Sequence, residues 1–240
     1  MNLKSTLPVY VSSCGYFKDR KNSFVAFSLS DNSKEEALKT FDYLLSCGFR
    51  RSGNFFYANV CRECSKCIPI RIPVKDFIMT KKYRRILKIN NDVRIESVKP
   101  EVNEEKIELF RKYSSIRHDE ASDCEDTLLH LHYGYDNIYE MDYFINDKLA
   151  AVGILDLAQN STSTNYFYFD PQHSKRSLGV FSVLKEIEFT LHAEKEFYYL
   201  GFYIEESPKM RYKSRYQPAQ LRINEEWTDF YKTDFTIYKA

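Results

Sequence analysis

Several features that this sequence lacks exclude classes of function. No segment approaches the roughly 20 consecutive apolar residues that a membrane-spanning helix needs, and the best candidate, 149–158, is short and contains Asp156. Residues 1–8 lack the apolar stretch and cleavage site of a secretion signal, which predicts a cytoplasmic protein with reduced thiols. Because the formal net charge is only +1, any contact with nucleic acid has to come from local basic patches.

Catalytic histidine motifs are also absent. None of the histidines has the spacing of a nucleophilic triad, and the pair in His130-x-His132 has no third ligand nearby in the sequence. We therefore expect surface or core roles for His118, His130, His132, His173 and His192.

Three cysteines at a spacing of three residues are the most informative feature that is present. Cys61, Cys64 and Cys67 form a repeated Cys-x-x-Cys step, and Cys14 is a candidate fourth ligand. Such thiolates converge readily on one soft cation, which predicts zinc or an iron–sulfur cluster. The alternative is a set of reduced thiols, which is the role that we expect for the two remaining cysteines, Cys47 and Cys124.

The first third of the chain reads as a small mixed lobe. Apolar residues at helical intervals predict a helix over 35–47, with Ser33 as its N-cap and Gly48 after its end. Residues 49–59 are predicted to be extended. Pro69 and Pro73 flank an apolar segment that reads as an edge or irregular strand.

The remainder of the chain predicts an α+β fold. We expect helices over 76–90 and 104–118, a strand over 92–97, a β-hairpin across 143–157 and a third strand over 164–169. A helix over 177–194 and an aromatic strand over 197–203 follow. Antiparallel strands, a helix and another strand are the order of the N-acetyltransferase-like (GNAT-like) core, a mixed sheet with flanking helices. We therefore predict a cysteine-containing lobe over 1–75 and a GNAT-like lobe over 76–240.

Two segments alternate cations with aromatic or apolar residues, as a surface that binds phosphates and stacks on bases would. A solvated helix face is the alternative explanation for each. The candidate RNA contacts are Lys81, Lys82, Arg84 and Arg85 in the first segment, and Lys209, Arg211, Tyr212, Lys213 and Arg215 in the second.

A set of motifs in order along the chain resembles one family, the aminoacyl-tRNA–protein transferases. The motifs are Cys14-Gly-Tyr16, Gly48-Phe-Arg-Arg-Ser-Gly53, Tyr57, Cys61-x-x-Cys64-x-x-Cys67-x-Pro69-x-Arg71, Phe169-Asp-Pro171, Ser177-Leu-Gly179, Tyr199-Leu-Gly-Phe-Tyr-Ile204 and Lys209-Met210-x-Tyr212-Lys213. The length and the spacing of the three cysteines resemble the short bacterial, leucyl-transferring branch. Where the longer eukaryotic, arginyl-transferring branch has a second cysteine after Cys-Gly-Tyr, this chain has Phe17.

The resemblance implies transfer of leucine from Leu-tRNA to proteins that begin with Asp or Glu, which marks them for degradation. Such an enzyme needs no cofactor for the chemistry, because the aminoacyl ester already carries the driving energy. For the acidic acceptor side chain we expect an arginine fork from Arg50, Arg51 or Arg71, with an intramolecular ion pair as the alternative for each.

Two further residues are candidates for catalysis. Asp170 would orient or deprotonate the incoming amine, or else act as a turn residue before Pro171. Ser177, at the start of a predicted helix, would meet the terminal phosphate of the tRNA or the oxyanion, or else be a plain N-cap.

Three other functions remain open at this stage. An arginyl-tRNA–protein transferase would share these motifs. An acyl-CoA-dependent N-acyltransferase should carry a glycine-rich pyrophosphate loop, whereas residues 172–179 contain one glycine. A zinc-knuckle RNA-binding module would explain the cysteines but not the aromatic C-terminal core.

Overall fold

The structure is a computed structural model that describes residues 3–29, 33–117 and 124–232. The strands within these residues are β1 (Val9–Ser13), β2 (Lys21–Phe27), β3 (Arg50–Ser52), β4 (Phe55–Asn59), β5 (Ile68–Pro73), β6 (Arg94–Val98), β7 (Ile138–Ile145), β8 (Lys148–Leu157), β9 (Ser161–Phe169), β10 (Phe197–Tyr203), β11 (Gln220–Ile223) and β12 (Glu226–Asp229). The helices are α1 (Lys34–Ser46), α2 (Lys81–Ile89), α3 (Glu104–Arg117), α4 (Cys124–His132), α5 (Leu178–His192) and the short α6 (Pro208–Arg211).

The strands form two sheets. The smaller has the order β1-β2-β4-β3, and the larger has the order β12-β11-β5-β10-β9-β8-β7-β6. Neighbouring strands are antiparallel except β9 and β10, which run parallel and are joined through α5. The fold is thus α+β, as predicted, with α5 as the crossover that a parallel pair requires.

Several elements form where the local pattern predicted them. Helix α1 begins with a capping box between Ser33 and Glu36, and Gly48 after its end has a φ of +82°. The hairpin of β7 and β8 and the aromatic strand β10 are confirmed. Helix α2 starts five residues later than predicted, because Thr80 supplies its N-cap. The final residue of the predicted helix 104–118, His118, lies outside the described residues.

The segment between Pro69 and Pro73 was predicted to be an edge or irregular strand; it is not an edge strand, although its pairing with β10 contains an irregularity. Strand β5 lies inside the large sheet, between β11 and β10. Strand β11 pairs only with Ile70 and Arg71, between the two prolines, so neither proline has to donate a hydrogen bond to it. The segment predicted as the N-terminal lobe therefore contributes a strand to the large sheet, and the small sheet spans residues 9–59.

Apolar residues pack on both faces of the large sheet. On β10, Tyr198 and Leu200 join a cluster with α2 and α5, whereas Tyr199 joins a cluster with α1 and the small sheet. This alternation is the period of two that a strand imposes. A third cluster packs α3 and α4 against β8 and β9. Among the described residues, none of the helices is both long and apolar enough to cross a bilayer.

A buried ion pair ties the small sheet to the large one. The guanidinium of Arg51 on β3 lies 2.8 Å from the carboxylate of Asp156 on β8, and both side chains are almost fully buried. Arg51 also donates to the carbonyl oxygens of Gly53 at 2.7 Å and Leu131 at 3.1 Å. Every edge of this guanidinium is thus used inside the protein.

We expect Arg51→Met to lower the free energy of unfolding by about 3–5 kcal/mol, because it leaves Asp156 as an unpaired buried charge. Urea unfolding followed by circular dichroism measures the change. The double variant Arg51→Met/Asp156→Leu should recover part of the loss, and the exposed control Arg62→Met should change it by less than about 0.5 kcal/mol. Equal losses for Arg51→Met and Arg62→Met would contradict a stabilising role of the pair.

Candidate active site between the two parallel strands

The parallel strands β9 and β10 pair over only three positions and then separate. Phe197, Tyr198 and Tyr199 pair with residues 161–163. Beyond this point β9 continues along β8 and β10 continues along β5. A cavity of about 750 Å³ lies where they diverge, and it is lined by both strands, the start of α5, the β3–β4 hairpin and residues 208–213.

Two cations donate to the backbone carbonyl groups that this separation leaves inside the cavity. Arg50 Nη2 donates to the carbonyl oxygen of Thr164 on β9 at 2.5 Å, and Lys213 Nζ donates to that of Phe202 on β10 at 2.9 Å. The second terminal nitrogen of Arg50, Nη1, is buried and has no hydrogen-bond partner among the described residues. Among the described residues, neither Arg50 nor Lys213 forms a salt bridge with a carboxylate. Arg50 and Lys213 therefore form a basic end of the cavity, and the unused Nη1 donor of Arg50 is buried beside it.

Lys213 was predicted as an exposed RNA contact, and the structure corrects this. Lys213 is only 8% exposed. Burial, together with the neighbouring positive charge of Arg50, holds the pKa of Lys213 well below its usual range. An anion bound beside it would favour its charged form again.

Gly201 makes room for both cations. It lies at an irregularity in the pairing of β10 with β5 and has a φ of +90°. A Cβ atom here would collide with Arg50 Nη1 and lie 3.1 Å from Lys213 Nζ. The glycine of the Tyr199-Leu-Gly-Phe motif is thus explained by backbone conformation and by close packing.

Ser177 lines the cavity at the start of α5, as predicted. It is the N-cap residue, but it adopts a left-handed conformation with φ of 57°, and its side chain makes no capping hydrogen bond. The plain N-cap role therefore does not account for its hydroxyl group. Leu178 and Gly179 in the first turn of α5 line the same cavity.

A buried carboxyl group that the sequence did not single out also lines the cavity. Glu186 on α5 is 1% exposed and accepts hydrogen bonds from Ser182 Oγ and Tyr198 Oη, each at 2.6 Å. Burial raises the pKa of this carboxyl group.

Three other predicted site residues do not line the cavity. Asp170 acts as the turn residue that was the alternative for it, because its carboxylate accepts from the backbone N–H of Gln172. Arg51 is held in the buried ion pair. Arg71 stacks 3.7 Å from the ring centre of Phe197 and 4.3 Å from that of Trp227, and its Nε donates to Gln220 at 2.9 Å. Of the predicted arginines, Arg50 alone faces the cavity.

The two basic segments, 130 residues apart in the chain, meet in space. Tyr83 on α2 donates its hydroxyl to the carbonyl oxygen of Arg215 at 2.7 Å, and its ring stacks on Tyr216 with 5.6 Å between centres. The cations on both sides of this contact are exposed, namely Lys81, Lys82, Arg84, Arg85, Lys209, Arg211 and Arg215. Lys209 and Tyr212 also line the cavity. One basic surface thus reaches the cavity rim.

The four clustered cysteines surround a second cavity of about 300 Å³, which Cys14, Cys61, Cys64 and Cys67 all line. The Sγ atom of Cys61 accepts from the backbone N–H of Ser23 at 3.3 Å. Within the described residues, no group of three or more His, Cys, Asp or Glu side chains is arranged to hold a metal ion. The four thiols share one cavity, and metal binding by them stays a prediction.

Four aromatic residues that line the cavity appeared in the sequence motifs without a role, namely Tyr16, Tyr57, Phe169 and Phe202. Tyr16, from Cys14-Gly-Tyr16, and Tyr57 on β4 both line the large cavity. Their presence in the motifs was the only signal. Gly201 was also part of a motif, whereas Thr164 and Glu186 had no signal beyond their strand or helix pattern.

Comparisons of the sequence with known proteins identify its family. Residues 12–85 match the model for the N terminus of arginine-tRNA-protein transferase, and residues 105–223 match the model for its C terminus. The chain belongs to the arginine-tRNA-protein transferase family. Within it, the chain is 34% identical over 221 residues to the aspartate/glutamate leucyltransferases of Pseudomonas putida (strain GB-1) and Pseudomonas fluorescens (strain SBW25), with 90% of this chain and 92% of each relative covered.

Solved structures give weaker likenesses. A conserved protein of unknown function from Bacteroides thetaiotaomicron VPI-5482 aligns with a TM-score of 0.47 and 10% identity, over 62% of this chain and 55% of that one. The PaiA N-acetyltransferase of Thermoplasma acidophilum, in complex with coenzyme A, aligns with a TM-score of 0.32 and 16% identity, over 42% of this chain and 74% of that one. At these scores neither likeness carries an argument.

We expect Cys67 to react slowly with iodoacetamide in the folded protein. Burial, assisted by the neighbouring thiols of Cys64 and Cys14, raises the pKa of Cys67 to about 12. At pH 8 the thiol is therefore protonated, and alkylation should be at least about tenfold slower than in urea, where the pKa returns to about 8.5. Peptide mass spectrometry over time measures both rates, and equal rates would contradict the buried placement of Cys67.

Proposed function

We propose that this protein transfers leucine from Leu-tRNA to the N-terminal α-amine of proteins that begin with Asp or Glu, and so marks them for degradation. The observation that carries the proposal is the unused, buried donor of Arg50 in a cavity whose basic end has no carboxylate partner among the described residues. A carboxylate side chain from outside would satisfy this donor with a charge-assisted hydrogen bond. The leucyltransferase relatives support the same substrate class.

The reaction is aminolysis of the aminoacyl ester, so it needs neither ATP nor an acyl-enzyme. With the acceptor carboxylate at Arg50, the deprotonated α-amine of the same residue would lie inside the cavity, where it attacks the ester carbonyl carbon. The new amide bond replaces the ester C–O bond, and the ribose oxygen of the tRNA leaves and takes up the proton that the amine loses. The hydroxyl of Ser177 and the first turn of α5 are available on the cavity wall for the developing oxyanion. Most of the catalysis would then come from positioning. A proton-accepting role for Asp170 has no support from its place in the structure.

The cavity wall favours leucine as the donated residue. The cavity wall includes Tyr166, Phe167, Leu178, Val180 and Val183, which suit an apolar side chain. The carboxyl group of Glu186 in the cavity lining is the feature that would favour arginine as the donated residue. Both of its carboxyl oxygens already accept hydrogen bonds from the protein, and the cavity already contains Arg50 and Lys213, so a further guanidinium is disfavoured.

The basic surface on both sides of Tyr83 would hold the acceptor end of the tRNA, since it ends at the cavity rim. The divergent parallel pair β9 and β10 with the intervening α5 supports the GNAT-like description of this core. The loop before α5 has none of the glycine-rich character of a pyrophosphate-binding loop, which disfavours an acyl-CoA donor. The proposed chemistry needs no cofactor, and metal binding by the four cysteines stays a prediction.

A transfer assay tests the function. Purified protein is incubated with radioactive Leu-tRNA or Arg-tRNA and with peptides that begin with Asp, Glu or Ala, and the label on each peptide is counted. We expect label from Leu-tRNA on the Asp and Glu peptides. Label from Arg-tRNA alone would move the assignment to arginyl transfer, and no label from either would refute the proposal.

Arg50→Ala should raise the KM for Asp and Glu peptides by about 10- to 100-fold, because it removes a charge-assisted hydrogen bond to the acceptor carboxylate. The KM for Leu-tRNA should stay within about twofold. Arg62→Ala, an exposed arginine of the same lobe, is the matched control, and a melting curve checks that each variant folds. If the tRNA KM rises instead of the peptide KM, Arg50 binds RNA rather than the acceptor.

Exposed cations at the rim should determine the salt dependence of tRNA binding. We expect Lys209→Gln/Arg211→Gln to lower the slope of log Kd against log salt by about 2, or about 1 for each lost phosphate contact. Lys213→Met should leave the slope unchanged, because Lys213 is buried. Filter binding at several salt concentrations measures this. A slope that changes with Lys213→Met and not with the double variant would reverse the assignment.

A further inference from the structure

The outer face of the small sheet is apolar and exposed. It borders an open groove of about 750 Å³, separate from the cysteine cavity, and the lining of this groove contains no charged side chain. Tyr10 is 49% exposed and Phe55 is 46% exposed, which is unusual for residues of an ordered sheet. We call this surface the outer sheet face; it consists of Tyr10, Phe24, Ala26, Ser52, Phe55 and Tyr57.

This face is continuous with the active-site cavity. Tyr57 lines both the groove and the cavity, and it lies directly opposite Arg50 in the pairing of β3 with β4. Residues directly opposite each other on antiparallel strands share one face of the sheet. Arg50 is thus the first residue of the same face, at the point where the face enters the cavity.

A row of aromatic rings follows the same path. The centre of the Phe202 ring, which lines the cavity, is 6.3 Å from that of Tyr57. Tyr57 is 6.5 Å from Phe24, and Phe24 is stacked on Tyr10 at 5.7 Å. These rings lead from the cavity wall outward to the edge strand β1.

We propose that the outer sheet face binds the residues that follow the N-terminal Asp or Glu of the acceptor polypeptide, with a preference for apolar side chains. This inference rests on the proposed function, which places the first acceptor residue at Arg50. An extended chain advances about 3.3 Å per residue, so about four further residues span the rings from Tyr57 to Tyr10. The face would thereby add sequence preference beyond the first residue.

The chemistry of the face favours a polypeptide over RNA. Sites for single-stranded nucleic acid combine aromatic rings with cations that follow the phosphates. The groove lining has the rings but no lysine or arginine, whereas the exposed cations near the cavity lie on α2 and in residues 209–215. The two substrates would therefore approach the cavity over different surfaces.

The test compares two acceptor peptides with an identical N-terminal Asp, one followed by Leu-Phe-Val-Leu and the other by Gly-Ser-Gly-Ser. We expect the wild type to show a lower KM for the apolar peptide. Tyr10→Ser/Phe55→Ser should raise that KM by about tenfold, the effect of losing about 1.4 kcal/mol of binding, and should leave kcat and the KM for the Gly-Ser peptide unchanged. Both positions are exposed, and Ile78→Ser/Ile116→Ser removes two exposed apolar side chains elsewhere as a control.

Fluorescence polarisation of labelled peptides without tRNA separates this inference from the proposed function. Binding of the apolar peptide that the Tyr10→Ser/Phe55→Ser protein loses supports the docking surface, even if no leucine is transferred. Equal KM and equal binding for both peptides overturn it. A rise in the KM for Leu-tRNA in the double variant assigns the face to RNA, and a change from dimer to monomer by light scattering assigns it to a second copy of the chain; either result also overturns it.

Discussion

The separation of β9 from β10 is the constraint on which the rest of this structure depends. Strands that part inside a protein leave backbone carbonyl groups without partners, and buried carbonyl groups need donors. Arg50 and Lys213 provide one donor to each strand. The two cations therefore belong to the fold as much as to the site, and Gly201 has to stay without a side chain so that both fit. The cavity exists because polar side chains, rather than a continued sheet, satisfy the backbone there.

The neighbouring residues Arg50 and Arg51 have different roles, since Arg50 lines the cavity and Arg51 forms a buried ion pair. They lie on one strand, so their side chains point to opposite faces. Arg51 reaches Asp156 in the core and fixes β3 against β8. Arg50 then extends into the cavity from a strand that cannot shift without breaking this pair. The rigidity of the buried ion pair thus supports the position of the unused donor, which is the arrangement that an anion site requires.

Local patterns predicted local structure well, apart from the late start of α2, and the larger failures involve distant partners. Ser33 and Gly48 delimit α1 because capping depends on a few neighbouring residues. The interior position of β5 depends on β11, about 150 residues later. Lys213 follows a basic pattern that indicates an exposed segment, and its burial results from Arg50 and β10, which no spacing reveals. Arg50, Arg51 and Arg71 were equivalent candidates in the sequence, and only the sheet pairing distinguishes them.

A nearly neutral protein that acts on two anionic substrates has to keep them apart. The phosphate backbone of RNA is bulky and well hydrated, and it suits the exposed cations of α2 and residues 209–215, where solvent stays in contact. In the proposed mechanism a single carboxylate enters the cavity, loses its water and accepts from the unused Arg50 donor. An uncharged Asn or Gln side chain would bring a weaker acceptor and an amide N–H group toward a guanidinium. The hydration that this amide group would lose is not replaced by a hydrogen bond, so the proposed contact with buried Arg50 would favour Asp and Glu.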